Sequence, residues 1–382
     1  VPVGVTDEPL LSEALAEAIR ERMLGALPGA DDPELLAALP TSLPDGATGR
    51  SGSPRAEAEL ARFTALKADY PARVGKTLRG RVLVLSAAAH GAGDHLEDAI
   101  TVAAALELFQ AWVLIHDDIE DGSEQRRGAP ALHRLVGMPV ALNVGDALHA
   151  RMWRLLHSLV PGNGSEPSGA ARSAGRARAI LDEFGTMVTR TAAGQHLDLA
   201  WVAAGRFDVT EDEYLRMVTL KTAWYTVASP LRLGALVAGR TPDPRLTAAG
   251  LDLGAAFQVR DDVLNLAPRE EAPGYGKEAL GDLYEAKRTL MLAHLLATAQ
   301  PEEAAGVTRR LAKPRAERTR EDVSAVLELM RERGSLRYAQ AAADRLASQG
   351  METLRAALVE APERAYADAL LRELALVAAR TS

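Results

Sequence analysis

Asp117-Asp118-Ile119-Glu120-Asp121-Gly122-Ser123-Glu124-Gln125-Arg126-Arg127-Gly128-Ala129-Pro130 decides how this chain is read. Acidic residues open the stretch, and two arginines follow after a turn of loop. It comes directly after the apolar run Ala111 to Ile115. On a helix, residues i and i+4 share a face, so Asp117 and Asp121 point the same way. About 140 residues further on, Asp261-Asp262-Val263-Leu264-Asn265 follows the apolar run Leu253 to Phe257. The same spacing pairs Asp261 with Asn265. Carboxylates crowded into an apolar setting are costly unless a cation neutralises them. Hard oxygen ligands select Mg²⁺ or a similar ion, which commonly works together with substrate phosphates. Arginine forks match phosphate oxygens in pairs. Either acidic cluster alone reads equally well as a solvated helix face. Arg126 and Arg127 alone read as ion-pair partners of nearby acids. Taken together, two acidic helices and an arginine pair suggest a site that clamps a diphosphate through metal.

Composition narrows the alternatives. The net charge of −8, with no basic tail, argues against nucleic acid as a partner. The chain has no cysteine, which excludes disulfides, thiol catalysis and a cysteine-type zinc site. No apolar run reaches the ~18 residues of a membrane span, and Val1-Pro2-Val3-Gly4 does not open a signal pattern. A cytoplasmic enzyme is the expectation.

Apolar residues recur at three- and four-residue spacing over 7–27, 55–68, 79–89, 94–116, 139–160, 170–203, 211–238, 245–266, 283–298, 320–331, 335–358 and 362–379. Val82 to Leu85 is the one strand-like run, and it sits inside a longer helical pattern. The chain is therefore expected to be all-α: a single large helical bundle around a central active-site cavity. Residues 41–54 are rich in Gly, Pro, Ser and Thr, so 1–54 is read as a helical N-terminal extension on a flexible joint and 55–382 as the catalytic domain. Loops are expected at 161–169 and 268–276, the second as a connector or a lid beside the acidic site.

The two acidic stretches resemble the first and second aspartate-rich motifs of the trans-polyprenyl diphosphate synthases, the class I isoprenyl synthase family. The likeness runs from about Gly75 to about residue 350. It includes Gly75-Lys76-Thr77-Leu78-Arg79-Gly80, Gly194-Gln195-His196-Leu197-Asp198, Lys221-Thr222, Gly276-Lys277 and Lys287-Arg288-Thr289. The resemblance implies a helical fold, a homodimer and a cluster of three Mg²⁺ ions on Asp117, Asp118, Asp121, Asp261, Asp262 and Asn265. An allylic diphosphate would be held by Arg126, Lys221, Lys277 and Lys287, and isopentenyl diphosphate by Lys76, Arg79, Gln110 and Arg127. Thr222 and Gln258 would turn oxygen dipoles toward an allylic cation. Released diphosphate would take the last proton, so no His/Asp/Ser constellation is needed. Asp198 reads as a metal or supporting group, and His116, His196, Trp224 and Tyr225 as packing residues.

Two departures touch the isopentenyl side: Thr77 stands where the family usually has a cation, and Gly80 where it usually has proline. A third is Asn265, which ends the second motif without a charge. Val113, Trp112 and Phe109 lie ~6, ~7.5 and ~12 Å before Asp117 along a helix. Bulky rings there would floor the pocket and favour a C15–C20 product, geranylgeranyl diphosphate foremost. Two rivals remain open at this level: a class I terpene cyclase, and a non-catalytic subunit that modulates another synthase.

Overall fold

A computed structural model describes residues 8–27, 29, 54–73, 75, 77–161, 167–267 and 279–379. Lys76 and Lys277, the joint at 41–53 and the loop at 268–276 lie outside the described residues. The N-terminal half runs through α1 (Glu8–Gly25), α2 (Pro54–Ala72), α3 (Leu78–Ala89) and α4 (Leu96–Glu120). A two-residue hairpin, β1 (Gln125–Arg126) with β2 (Ala129–Pro130), then turns the chain into α5 (Leu132–Val136), α6 (Met138–His157) and the long α7 (Pro167–Ala203). Next come α8 (Glu211–Val218), a π-helical segment (Thr219–Ala228), α9 (Ser229–Val237) and α10 (Pro244–Asn265). The remainder is α11 (Gly281–Tyr284), α12 (Leu290–Thr298), α13 (Pro301–Leu311), α14 (Arg320–Glu332), α15 (Ser335–Ala357) and α16 (Arg364–Ala378). The all-α reading holds. The Val82–Leu85 run is helical, inside α3.

Local chemistry sets the boundaries. Thr210 caps α8 by accepting from the Glu213 N–H, while the Glu213 carboxylate accepts from the Thr210 N–H. Thr319 and Asp322 repeat that box at α14. Asp243 caps α10 ahead of Pro244, whose missing N–H costs nothing in a first turn. The expected helix at 283–298 is instead two, α11 and α12, because the chain turns sharply between them: Ala286 has φ +54°. That turn aims Lys287 inward.

α4 is the central element. Residues 93–120 are apolar and long enough to cross a membrane, yet 72% of the window is buried inside the bundle. A helix apolar all round belongs in a core. Around α4, one core joins α1, α3, α6, α7, α9 and α16. A second gathers Tyr214 of α8 with apolar residues of α10 and α12 to α15. α10 serves both, through Leu253 in the first and Val259 in the second. From α1, Leu15, Ile19 and Met23 are buried in the α4 core, so residues 8–25 share the core of the catalytic bundle. A Cβ on Gly80 would lie 3.1 Å from Ile19, so the glycine admits α1 there.

Candidate active site

The second acidic motif and the first line one cavity of about 1730 Å³ within the bundle. Asp117, near the C-terminal end of α4, and Asp261, near that of α10, are both on its wall. Lys221, Thr222, Gln258 and Lys287 line it as well, as do Arg79, Gln110, Arg126 and Arg127.

Lysines answer the acids. The Lys221 ammonium lies 2.6 Å from Asp198 and 3.4 Å from Asp117. Lys287 Nζ lies 2.6 Å from Asp121 and 3.1 Å from Glu285. Burial raises the Asp121 carboxyl to about 6, against the opposing pull of Lys287. A carboxylate this short of water is a favourable partner for a further cation. The Gln195 amide donates to Asp117 at 3.3 Å and to Glu120 at 2.6 Å. Asp198 is therefore a supporting group that holds Lys221.

Three expected metal ligands are turned elsewhere. Successive helical residues diverge by roughly 100°, so the neighbour of a cavity-facing aspartate faces away. Asp118 is fully buried and accepts from Arg126 Nε at 2.9 Å and from the Tyr70 hydroxyl. Asp262 accepts from the Tyr214 hydroxyl and from the Gln258 amide, both at 2.7 Å. Asn265 Oδ1 accepts from the Asp282 N–H at 3.0 Å, and its carbonyl accepts from Leu280 N–H. Asn265 thus fastens α11 to the end of α10, and its lack of charge suits that work. Among the described residues no three His, Asp or Glu side chains converge on one point to hold an ion. Of the two motifs, Asp117 and Asp261 are on the cavity wall, and Asp121 is held behind it by the cavity lysine Lys287. These carboxylates are a donor set that fits Mg²⁺ shared with phosphate oxygens.

The arginines divide. Arg126 is on the cavity wall but bonded to both Asp118 and Asp117, and against the opposing effect of burial those carboxylates push its pKa well above the ordinary guanidinium value. Arg127 donates to the Arg73 carbonyl at 2.9 Å. A Cβ on Gly75 would sit 3.0 Å from the Arg127 guanidinium, so a side chain there would displace the arginine slightly. Arg79 donates to Thr226 Oγ1 at 3.1 Å and lies 4.5 Å above the Tyr225 ring. Behind them Glu107 is buried on α4 and accepts from the Gly80 N–H at 3.1 Å. Burial pushes its carboxyl up, and Arg79 and Arg127 oppose the shift.

The far end is aromatic. Phe109, Trp112 and Val113 line the cavity. The Phe109 ring meets Trp112, Tyr225 and Phe184 edge-on, with centroids at 5.7, 5.6 and 6.1 Å. Trp112 stacks on His149 at 4.1 Å. Tyr225, His116 and His196 belong to the wall rather than to the packing behind it. Trp224 is buried beneath the Arg190 guanidinium, 3.7 Å from it. Sequence reasoning missed Arg372, Glu373 and Leu376 of α16, which line the cavity, and Tyr214 and Glu107, which are buried behind residues that do. Helical periodicity marked these as core or surface, and only the fold brings them to the site.

A cavity lined by acids, lysines and arginines at the heart of an all-α bundle defines the site. A family model described as Polyprenyl synthetase matches residues 63–330. The chain belongs to that family, the trans-prenyl diphosphate synthases, and is a prenyltransferase. It is 34% identical over 283 residues, 74% of this chain and 80% of the relative, to a geranylgeranyl diphosphate synthase of Saccharolobus solfataricus. It is 34% identical over 309 residues, 79% of this chain and 78% of the relative, to a (2E,6E)-farnesyl diphosphate synthase of Mycobacterium bovis. The fold matches a geranylgeranyl pyrophosphate synthase from Corynebacterium glutamicum, complexed with isoprenyl diphosphate and magnesium, with TM-score 0.76, 28% identity and coverage of 98% and 100% of the two chains. It also matches a polyprenyl synthase from Caulobacter crescentus, complexed with calcium and isoprenyl diphosphate, with TM-score 0.75, 26% identity and full coverage of both chains.

Proposed function

We propose that the protein joins an allylic diphosphate to isopentenyl diphosphate head to tail and releases diphosphate. The product is a short-chain all-trans prenyl diphosphate of the C15–C20 class, with geranylgeranyl diphosphate foremost. One observation carries this reading: Asp117 and Asp261, from two different helices, line one cavity together with two lysines and the arginine pair. Relatives named geranylgeranyl and farnesyl diphosphate synthase support the product class.

Asp117, Asp121 and Asp261 would hold a Mg²⁺ cluster, which when bound supplies Lewis-acid stabilisation to the leaving diphosphate. Lys221, Lys277, Lys287 and Arg126 grip the same diphosphate, so the charge that builds as the C–O bond breaks meets fixed cations. Lys76, Arg79, Gln110 and Arg127 hold isopentenyl diphosphate with its double bond toward the allylic carbon. The new C–C bond takes the alkene's electron pair, and released diphosphate removes the proton that restores a double bond. Thr222 and Gln258 present oxygens rather than a nucleophile to the cation. Closure against water matters because water would quench it.

The decisive experiment supplies each allylic primer with Mg²⁺, with and without isopentenyl diphosphate, and reads products by mass spectrometry. Elongated diphosphate only when both substrates are present supports the synthase. A hydrocarbon from one substrate alone would replace it with the cyclase reading. Within the same proposal the protein is a homodimer. Leu135, Met138, Val140 and Leu142 form an exposed apolar group on α5 and α6, with Met138 58% exposed, and such a group marks a protein contact. Light scattering should give twice the chain mass, and Met138→Glu with Leu142→Glu should give the monomer.

A further inference from the structure

The second aspartate of the second motif has no place on the cavity wall, yet it is buried and doubly bonded beside it. Asp262 accepts from Tyr214 through one carboxylate oxygen and from Gln258 Nε2 through the other, at 2.7 Å each. Gln258 Oε1 in turn accepts from the Thr222 hydroxyl at 2.9 Å. Gln258 and Thr222 are cavity residues. The direction of this chain follows from chemistry. An ionised carboxylate only accepts, so the amide must turn its NH₂ toward Asp262. Its oxygen then faces Thr222, and the threonine must be the donor. A hydroxyl that has spent its single proton offers only lone pairs elsewhere.

We propose that Asp262 and Tyr214 are positioning residues that fix the polarity of this relay, so that Thr222 turns its proton away from the cavity and its lone pairs toward the reacting carbon. The inference rests on the synthase reading given above. A cation at that carbon is stabilised by oxygen lone pairs and opposed by an O–H pointed at it. Preorganised dipoles of this kind contribute to rate rather than to substrate affinity. Asp262 thereby acts on the reaction from behind the wall, through Gln258, without touching substrate or ion. Tyr214 has a part of its own. Its buried hydroxyl occupies the far carboxylate oxygen and leaves the near one to Gln258.

The relay can be reversed without a change of shape. In Asp262→Asn the phenol proton still needs an acceptor and takes the amide oxygen, which leaves the amide NH₂ toward Gln258. Gln258 must then turn its oxygen to residue 262 and its NH₂ to Thr222, and the threonine proton is driven into the cavity. In Asp262→Asn combined with Tyr214→Phe that demand is gone. The asparagine turns its oxygen back to Gln258, and the native polarity returns. Asp262→Asn should lower kcat about tenfold while both KM values and the Mg²⁺ half-saturation stay within about twofold. The double variant should recover most of that loss. A double variant no better than Asp262→Asn, or a loss carried by KM or by Mg²⁺ demand, overturns the relay. A second measurement needs no variant and no turnover. Neutron diffraction of the deuterated protein should place the Thr222 hydroxyl deuterium on the line to Gln258 Oε1. A deuterium directed into the cavity overturns the proposal even if the enzyme is active. A wild type that makes no elongated product defeats the synthase reading instead, and leaves the neutron result to judge the relay.

Discussion

Neighbouring aspartates in one motif do opposite work. Asp117 faces the cavity, whereas Asp118 is buried against Arg126 and Tyr70. Asp117→Ala should therefore abolish turnover and leave the melting temperature within a few degrees. Asp118→Ala should instead lower stability, because it takes from the buried Arg126 guanidinium its principal carboxylate partner. Breaking a buried ion pair by deleting one partner costs about 3–5 kcal/mol, which a urea titration would show. Equal losses of stability in the two variants would refute the division. The i and i+4 rule put Asp121 one turn beyond Asp117, near enough for the two carboxylates to repel. But the sequence reading counts Asp118 and Asp262 as ligands beside them and overlooks the 100° step per residue that turns each away from its neighbour. The rule failed at Asn265, whose partner comes from α11, a segment 17 residues further along the chain. Acidity gives a second test at this scale. Burial holds the Asp121 carboxyl at about 6, above the ordinary carboxylate range. Its charged, cation-binding form is present above that pH and is lost as pH falls through it. The pH profile of kcat/KM should show an acid limb near 6. Raising Mg²⁺ should move the limb to lower pH, since metal and proton compete for one group. A limb indifferent to Mg²⁺ would show that another group causes it.

The π-helical segment explains how Lys221 and Thr222, adjacent in sequence, both reach the cavity. An α-helix turns successive residues far apart, and the looser i→i+5 winding found at functional sites alters that spacing. Glycines on the neighbouring helices hold the segment in place. A Cβ on Gly194 of α7 would fall 2.2 Å from the Lys221 nitrogen. On α10, a Cβ on Gly254 would fall 2.5 Å from the Ala223 Cα, and one on Gly250 2.4 Å from the Ala228 Cα. Backbone cannot yield at such distances. Gly194→Ala should push the segment off α7, cost about 1–3 kcal/mol as overpacking does, and lower kcat at least tenfold by misplacing Lys221. Gly185→Ala, on the same helix with its nearest neighbour at 3.8 Å, is the control and should be silent. If both variants keep full activity, the pinch does not position the lysine. Most helices were legible from their apolar period, which needs no partner to be seen. The π winding was not, since Lys221-Thr222 lies inside an unbroken apolar pattern. α13 escaped a reading based on apolar spacing, although Gln300, Pro301 and Glu303 mark its start as a capping box with proline in the first turn.

At the scale of the whole molecule, the aromatic floor of the cavity is a depth gauge built by α4, α6, α7 and the π segment. Counting down α4 from Asp117 located Phe109, Trp112 and Val113, because all sit on one element. The rest of the floor was invisible to counting. Tyr225 comes from the π segment, Phe184 from α7, and His149 and Trp153 from α6. Long-range packing brings them together, and no local pattern encodes it. The floor is layered as a result. Trp112 is held flat by its stack on His149, Phe109 stands beside it, and Phe184 backs Phe109, with Trp153 beyond at 6.0 Å. Removing the upper layer should lengthen the product by a limited step rather than open an endless channel. Phe109→Ala should shift the dominant product up by one or two isoprene units, with Phe184 as the next stop. Phe109→Ala with Phe184→Ala should move it further. His149→Ala, which frees the Trp112 indole without emptying the cavity wall, should broaden the distribution rather than move its centre. Truncating a buried Phe costs about 3–5 kcal/mol, so products are compared below the melting temperature of the weakest variant. Mass spectrometry of products from a fixed primer decides the matter. Unchanged products from an active Phe109→Ala variant would place the stop elsewhere than in this aromatic floor.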